Sequence, residues 1–364
     1  MSKYRFAVIG SGWRSQYYVR VAQALPDLFD LCAMHCRSEE KAAMFRSKYN
    51  IPATTDEDEC ASTHPDFMVI AVSKNSAPAV AMHWMKKGFA VLCETPAAQD
   101  IETLNELWKL HEQGNKLVIA EQYFLYPIYS SLIKLVKSGV IGRVNCLNLS
   151  LAHEYHAASL MRALLEIPAN TSFTVFSKTY EFPVTETRTR YEEIKDGRIA
   201  NKKRTIASFE FANGKTSFYD FDSEQYHSKI RKNSYKIQGE RGEILDGNAY
   251  FLDPKNEVVE ADVQVNSRHI EREFKNPNPE FYEEIAGISF QDKLLYEPPF
   301  GLCNLSQDET AVAELMKKTA AYAKEIADSP YLLKESLQDA YMAILMRRSD
   351  ELGKPVESEK QIWM

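Results

Sequence analysis

Three short stretches of this sequence hold groups whose types and spacing could do chemistry. In the first, Gly10-Ser11-Gly12-Trp13-Arg14-Ser15 follows the apolar run Phe6–Ile9 and leads directly into a helical pattern. This is a G-x-G-x-x-G/A arrangement with serine in third place. The first glycine permits a tight turn, the second lets backbone amides approach a phosphate, and the free N–H groups of the helix start attract the anion. Ser15 is small enough for the helix to pack closely on the strand. The expected ligand is a dinucleotide held by Gly10, Ser11, Gly12, Trp13 and Arg14. In the second stretch, Cys36-Arg37-Ser38 ends the next apolar run, where an acid usually accepts hydrogen bonds from a ribose. A neutral thiol there does not repel a 2′-phosphate, and Arg37 with Ser38 has the chemistry to hold one. NADP is therefore the favoured cofactor, with NAD, reached by Glu39 or Glu40, as the alternative.

The third stretch is His153-Glu154-Tyr155-His156, between the run Val144–Leu151 and the apolar-periodic segment 160–165. It puts His156 near a helix N-terminus, where the dipole disfavours the imidazolium. Moving a hydride from an alcohol carbon requires a base for the hydroxyl proton, and the reverse reaction requires the matching acid. His156 suits that role. The pair is spaced i, i+3, not i, i+4, and no further His/Cys cluster accompanies it. Cys32 and Cys36, four residues apart in an extended run, would be ~13 Å apart. No metal site is expected.

The elements that must position these groups change character along the chain. Up to about residue 125, short apolar runs alternate with helical patterns: Phe6–Ile9, Leu31–Met34, Phe67–Val72, Ala90–Cys93 and Leu117–Ala120 as strands, and Trp13–Leu25, a helix opening at Ser38, Ala77–Lys87 and Glu102–Gln113 as helices. That rhythm is the βαβ pattern of a parallel sheet. From about Arg143 the chain reads as β-rich, with strands at 144–151, 185–194, 204–211, 215–221 and 234–238. Turn dipeptides stand at Asp196-Gly197, Asn213-Gly214 and Asp246-Gly247. The stretch Gly197–Arg204, with Lys202, Lys203 and Arg204, reads as a charged hairpin tip, and residues 275–303 as loop. Ser306-Gln-Asp-Glu309 is a capping box that opens a helix to about Ala327, and a last helix spans Leu333–Leu352 before Gly353 and Pro355. The fold class expected is α/β plus α+β. A Rossmann-type, doubly wound parallel sheet occupies residues 1–125. The second domain, 126–364, is built on an open, mainly antiparallel sheet, with the C-terminal helices partly packing on the first.

Composition narrows the function classes. The 364 residues carry 44 Lys and Arg against 51 Asp and Glu, a net charge of −7, which argues against a general nucleic-acid binder. No apolar run approaches the ~20 residues of a membrane span. The opening residues enter a strand-like run with no secretory leader pattern, and the six cysteines are scattered without a CxxC pair. A cytoplasmic, reduced, globular protein is expected, with no nucleic-acid or membrane partner.

Taken together, several motifs resemble the glucose–fructose oxidoreductase/inositol dehydrogenase/MocA (Gfo/Idh/MocA) family. They are Gly10-Ser-Gly12, Arg37-Ser38-x-x-Lys41-Ala42, Asp66–Val72, Gly88-Phe-Ala-Val-Leu-Cys-Glu94-Thr95-Pro96, Gln122…Pro127, Ser138-Gly-Val-Ile-Gly142, His156 and Glu335…Asp339-Ala-Tyr. The resemblance implies NAD(P)-dependent hydride transfer on a sugar, polyol or related small molecule, and a homodimer or homotetramer formed through one face of the second domain's sheet. It also implies that Val72, Asn75, Glu94, Thr95 and Gln122 line the cofactor, and that Pro96 still shapes the turn, a cis bond being one means. There are two departures. The family's Glu-Lys-Pro reads Glu94-Thr95-Pro96, so a hydroxyl replaces a cation beside the reacting oxygen. The family's Asp-x-x-x-His reads Ala152-x-x-x-His156, with His153 one residue along. The catalytic set expected is His156, Thr95 and His153. These losses keep two other readings open: a nucleotide-binding sensor without turnover, and redox-assisted glycoside cleavage with recycled NAD. Tyr123, Tyr126, Tyr226, His227 and Arg231 are secondary candidates for lining the site.

Overall fold

The computed structural model describes residues 3–270 and 283–364. The chain divides into two compact units. One is Met1–Leu125 with Cys303–Ala340 and Trp363; the other is Tyr126–Leu302 with Tyr341–Ile362 and Met364.

The first unit alternates β1 (Tyr4–Ile9), α1 (Ser15–Ala24), β2 (Phe29–His35), α2 (Glu39–Tyr49), β3 (Ala53–Thr54), α3 (Glu57–Ser62), β4 (Phe67–Ile70), α4 (Ala77–Lys86), β5 (Val91–Cys93), α5 (Ile101–Glu112) and β6 (Leu117–Ile119). The strands form a six-stranded sheet in the order β3-β2-β1-β4-β5-β6. Every pairing is parallel. This is the doubly wound arrangement expected, and the buried runs of β1 and β4 read as continuous apolar sequence because helices cover both faces of such a sheet. Two pieces, β3 and α3, lack a clear apolar period and were not legible in the sequence.

Register is what builds the site edge. Ile9 lies opposite Ile70, Ile70 opposite Cys93, and Cys93 opposite Ile119. Gly10, Ala71, Glu94 and Ala120 therefore leave the sheet side by side, at the carboxyl edge where open α/β sheets bind ligands. The same unit contains α8 (Gln307–Ala323), opened by the expected Ser306–Glu309 capping box, which packs against α1. It ends at Ala323, not near Ala327: Lys324 is the C-cap and Glu325 is left-handed, with φ 60°. Leu333–Leu352 forms α9.

The second unit contains α6 (Pro127–Lys137), β7 (Val144–Ser150), α7 (Glu154–Leu165), β8 (Phe173–Thr185), β9 (Ile199–Phe211), β10 (Thr216–Asp222), β11 (Ser234–Gly239), β12 (Gly242–Leu245), β13 (Asn248–Leu252), β14 (Val258–His269), β15 (Glu283–Phe290), β16 (Lys293–Tyr296) and β17 (Val356–Glu357). Among the described residues these strands make an eleven-stranded sheet in the order β16-β15-β14-β13-β12-β11-β7-β10-β9-β8-β17. It is antiparallel except for β7 beside β10. Asp246 and Gly247, with φ of 47° and 94°, form the two-residue turn between β12 and β13 that their types predict.

Three expectations fail here. Residues 185–194 are not a strand. The strand is Phe173–Thr185, whose alternation buries Phe173, Val175 and Ser177. The next stretch offers Thr and Tyr of good β propensity but little to bury, and makes only one bridge, Arg188 to Glu193. Lys202, Lys203 and Arg204 are not a hairpin tip but lie within β9. There Lys202 pairs with Glu186 at 2.6 Å and Glu224 at 2.9 Å, and Arg204 pairs with Asp220. Residues 283–296, read as loop, are the hairpin β15–β16. Buried Glu284, bonded by Arg268 at 2.7 Å, interrupts the apolar alternation that would have announced it. Asn276–Pro279 lies outside the described residues.

Candidate active site

The turn after β1 has the shape that its glycines suggest. Gly10 has φ 124°, and a Cβ on it would stand 2.3 Å from the carbonyl oxygen of Ala71. Its N–H donates to the His35 carbonyl at 3.0 Å, tying the turn to the end of β2. Gly12 is different: no atom lies within 4 Å of where its Cβ would be. The protein leaves that side of the turn open, as close approach of a pyrophosphate requires. No side chain caps the start of α1, nor those of α4, α6 (Pro127–Lys137) and α7 (Glu154–Leu165), whereas α2, α3, α5 and α8 are capped by Ser38, Asp56, Asp100 and Ser306. Ser15 is fully buried, its Oγ 3.5 Å from the Ala71 carbonyl, so the third position of the motif does pack helix on strand. Trp13 is exposed and stands edge-on to Tyr17. These residues fit a dinucleotide diphosphate.

At the end of β2, Cys36 is buried while Arg37 and Ser38 are exposed. Burial pushes the Cys36 thiol pKa up against the opposing effect of a bond from Ser11, so the group stays neutral. Ser38 Oγ accepts the Lys41 N–H at 3.4 Å as the cap of α2. Glu39, one of the two acids considered for the ribose, is paired with Arg46 instead.

On the neighbouring strands, Thr95–Pro96 is cis. Asn75, in the turn after β4, accepts a bond from Gln99 at 2.6 Å, and Val72 lies beside Gly10. Arg14 and Glu94 do not extend their side chains as independent ligand contacts. Arg14 Nε donates to Glu94 Oε1 at 2.7 Å and its Nη1 to Asp308 Oδ2 at 3.0 Å. Tyr18 donates to the same Glu94 oxygen at 2.5 Å, and Gln122 Nε2 donates to Asp308 Oδ1 at 3.1 Å. Asp308 was missed by the sequence reading. It stands inside the Ser306–Glu309 capping box, whose local logic explains Ser306 and Glu309 but gives no sign of a partner 294 residues away. Glu309 in turn holds Arg20.

In the second unit, His153 is the N-cap residue of α7 and His156 lies in its first turn, buried. Tyr226 Oη lies 2.5 Å from His153 Nδ1 and accepts the His153 backbone N–H at 3.0 Å, while Tyr155 Oη lies 2.6 Å from His153 Nε2. The His156 ring packs on those of His153 and Tyr155, with centroids 5.1 and 4.5 Å away. Ala152 and Glu154 both have positive φ, 52° and 36°, uncommon for such residues. This strained loop is held by Tyr219, which accepts the Glu154 N–H at 3.1 Å, and by an ion pair from Glu154 to Arg347. The missing aspartate is thus replaced by an alanine at a backbone bend. His227 is lowered to about 4 by burial and by the charges of Arg190 and Arg188. Arg231 lies 4.0 Å from Asp222. Among the described residues no three His, Cys, Asp or Glu side chains converge on a metal site, and no helix is long and apolar enough to cross a membrane.

A parallel sheet in this order, with an open glycine turn and an uncapped helix at its carboxyl edge, defines a dinucleotide-binding Rossmann unit. Residues 4–122 match the GFO_IDH_MocA family model, described as "Oxidoreductase family, NAD-binding Rossmann fold". No curated protein matches the chain. Solved structures share its fold over nearly the whole length. An oxidoreductase from Agrobacterium radiobacter in complex with NAD+, L-tartaric acid and magnesium has a TM-score of 0.70 at 13% identity, covering 98% of both chains. The myo-inositol 2-dehydrogenase of Lactobacillus plantarum has 0.66 at 12%, covering 98% of this chain and 100% of its own. The biliverdin reductase of Synechocystis, in complex with biliverdin and NADP+, has 0.62 at 13%, covering 96% and 99%.

Proposed function

We propose that this chain is an NAD(P)-dependent dehydrogenase or reductase, favouring NADP, that acts on the hydroxyl or carbonyl carbon of a sugar, polyol or related small molecule in the cytoplasm. The observation that carries the reading is the open side of Gly12 on a turn whose Gly10 is closed against the Ala71 carbonyl. The backbone amides of Gly10–Trp13 hold the diphosphate, and Arg37 with Ser38 holds a 2′-phosphate. Val72, Asn75, Thr95 and Gln122, at the ends of the second half-sheet, line the nicotinamide half. When bound, the cofactor supplies or accepts a hydride at its nicotinamide ring. The protein's own part is to hold and move a proton: His156 takes it from the substrate hydroxyl in oxidation and returns it in reduction. His153, fixed through both ring nitrogens by Tyr226 and Tyr155, positions the segment, and the Thr95 hydroxyl orients the reacting oxygen.

The polyhydroxylated compounds named with two of the structural neighbours favour the sugar or polyol class. The second unit binds the substrate and carries the contact of a homodimer or homotetramer. Support for that contact comes from Phe176, Tyr180, Phe182 and Phe218, which are exposed on the sheet. The test is absorbance at 340 nm with NADPH or NADP over a panel of aldoses, ketoses, polyols and inositols. Nicotinamide-dependent turnover of at least one supports the proposal. Product formed from a glycoside with no net absorbance change, or tight nucleotide binding with no turnover of any kind, replaces it with one of the two other readings.

A further inference from the structure

The residues around Glu94 form a buried charge cluster with an uneven count. Arg14, Glu94 and Asp308 each have side chains only 12% exposed, and they are bonded as one group, a single guanidinium between two carboxylates. Burial pulls the Arg14 pKa down, but the carboxylates of Asp308 and Glu94 outweigh it, so the guanidinium stays charged. Tyr17 and Tyr18, the phenols packed on the group, are pushed up, chiefly by burial, and add no charge. The nearby Arg20–Glu309 pair is neutral as a pair. Buried Glu121, at the same sheet edge, accepts the Tyr123 N–H at 3.0 Å. Gln122 donates its amide N–H to Asp308, which leaves its carbonyl oxygen, buried and without a partner among the described residues, as a further centre of partial negative charge.

The position of this group gives it a consequence. Glu94 follows β5 and Gln122 follows β6, at the carboxyl ends of the strands that form the second mononucleotide-binding half of such a sheet. Thr95 brings no cation there. Loss of a hydride turns a neutral nicotinamide ring into a cationic one, and a buried negative charge stabilises only the second form. We infer that the Arg14–Glu94–Asp308 cluster makes this protein bind oxidised pyridine nucleotide more tightly than reduced, which biases the bound cofactor toward giving its hydride to a carbonyl substrate. Asp308, far in sequence from every nucleotide motif, is the residue that tips the charge count. The inference rests on the cofactor reading above.

The test is calorimetric titration of the purified full chain with NADP+ and NADPH separately, and likewise with NAD+ and NADH. The wild-type protein should bind the oxidised form on the order of tenfold more tightly, the size of effect one charge produces across roughly 12 Å at an effective dielectric constant of about 20. Asp308→Asn, and separately Glu94→Gln, should each bring the ratio of the two dissociation constants close to one. A wild-type ratio at or below one overturns the inference while leaving nucleotide binding intact. It needs no variant to fold. An unchanged ratio in a folded Asp308→Asn protein also overturns it. Binding of neither form overturns the cofactor reading, and the inference with it.

Discussion

The two glycines of the first turn should respond to substitution in opposite ways, and the contrast separates a ligand cradle from a merely structural turn. At Gly10 an added Cβ would stand 2.3 Å from a backbone oxygen, with φ at 124°. Gly10→Ala therefore forces β1 and β4 apart at their carboxyl ends, at a cost of at least about 3 kcal/mol in stability. At Gly12 nothing lies within 4 Å, and its φ is outside the left-handed range. Gly12→Val should leave stability within about 0.5 kcal/mol of wild type. It should nevertheless place methyl groups where the diphosphate approaches, weakening nucleotide binding by about 100-fold, or roughly 2.7 kcal/mol. Thermal unfolding and calorimetric titration with NADPH, run on both variants, read the two effects. Nucleotide affinity of Gly12→Val equal to wild type would refute the cradle. Wild-type stability of Gly10→Ala would refute the packing argument on which the geometry depends.

Other outcomes follow from the same site. Arg37→Ala should weaken NADPH by at least about tenfold and leave NADH nearly unchanged, because a charged hydrogen bond to a 2′-phosphate is lost; equal losses in titrations of both would remove the NADP preference. His156→Ala should lower kcat by about 100-fold or more, the range of a general acid–base group, with nucleotide affinity preserved; wild-type turnover would clear His156 of the role. His227, held at about 4 in the fold against an ordinary 6.5, takes up its proton more readily in the unfolded chain. Its contribution to stability is therefore present above pH 6.5 and is lost as pH falls from about 6.5 to about 4. His227→Asn should flatten unfolding free energy over that window relative to wild type, and parallel pH profiles would contradict the assignment.

What could be read from the sequence was physics confined to near neighbours. The turn at Gly10, the caps at Ser38 and Ser306, the left-handed stop at Gly353 and the turn at Asp246-Gly247 all act within a few residues. Each is where the amino-acid types put it. The buried strands of the first sheet were legible for a related reason: helices on both faces leave a continuous apolar run. In the second sheet, β8 and β9 keep one half-exposed face that mixes Phe176, Lys178, Tyr180 and Arg204, so apolar alternation blurs and strand ends shift by many residues. The charge pairs were least legible. Arg14 reads as part of a phosphate loop until Asp308 is seen to hold it, and Lys202 reads as a loop charge until Glu186 and Glu224 surround it. Pairings across such separations leave no local pattern. Ala152, which reads as a lost catalytic acid, is a left-handed bend that sets the angle at which α7 begins.

On the reading proposed above, the open side of the first turn receives a dinucleotide whose nicotinamide half lies at the ends of β4, β5 and β6. A crystal structure of the protein grown with NADP+ tests this most directly. Diphosphate density should lie against the Gly12 amide, the 2′-phosphate beside Arg37, and the nicotinamide ring near Thr95 and Gln122. Well-ordered protein with nucleotide bound elsewhere, or with an empty turn at saturating NADP+, would contradict it.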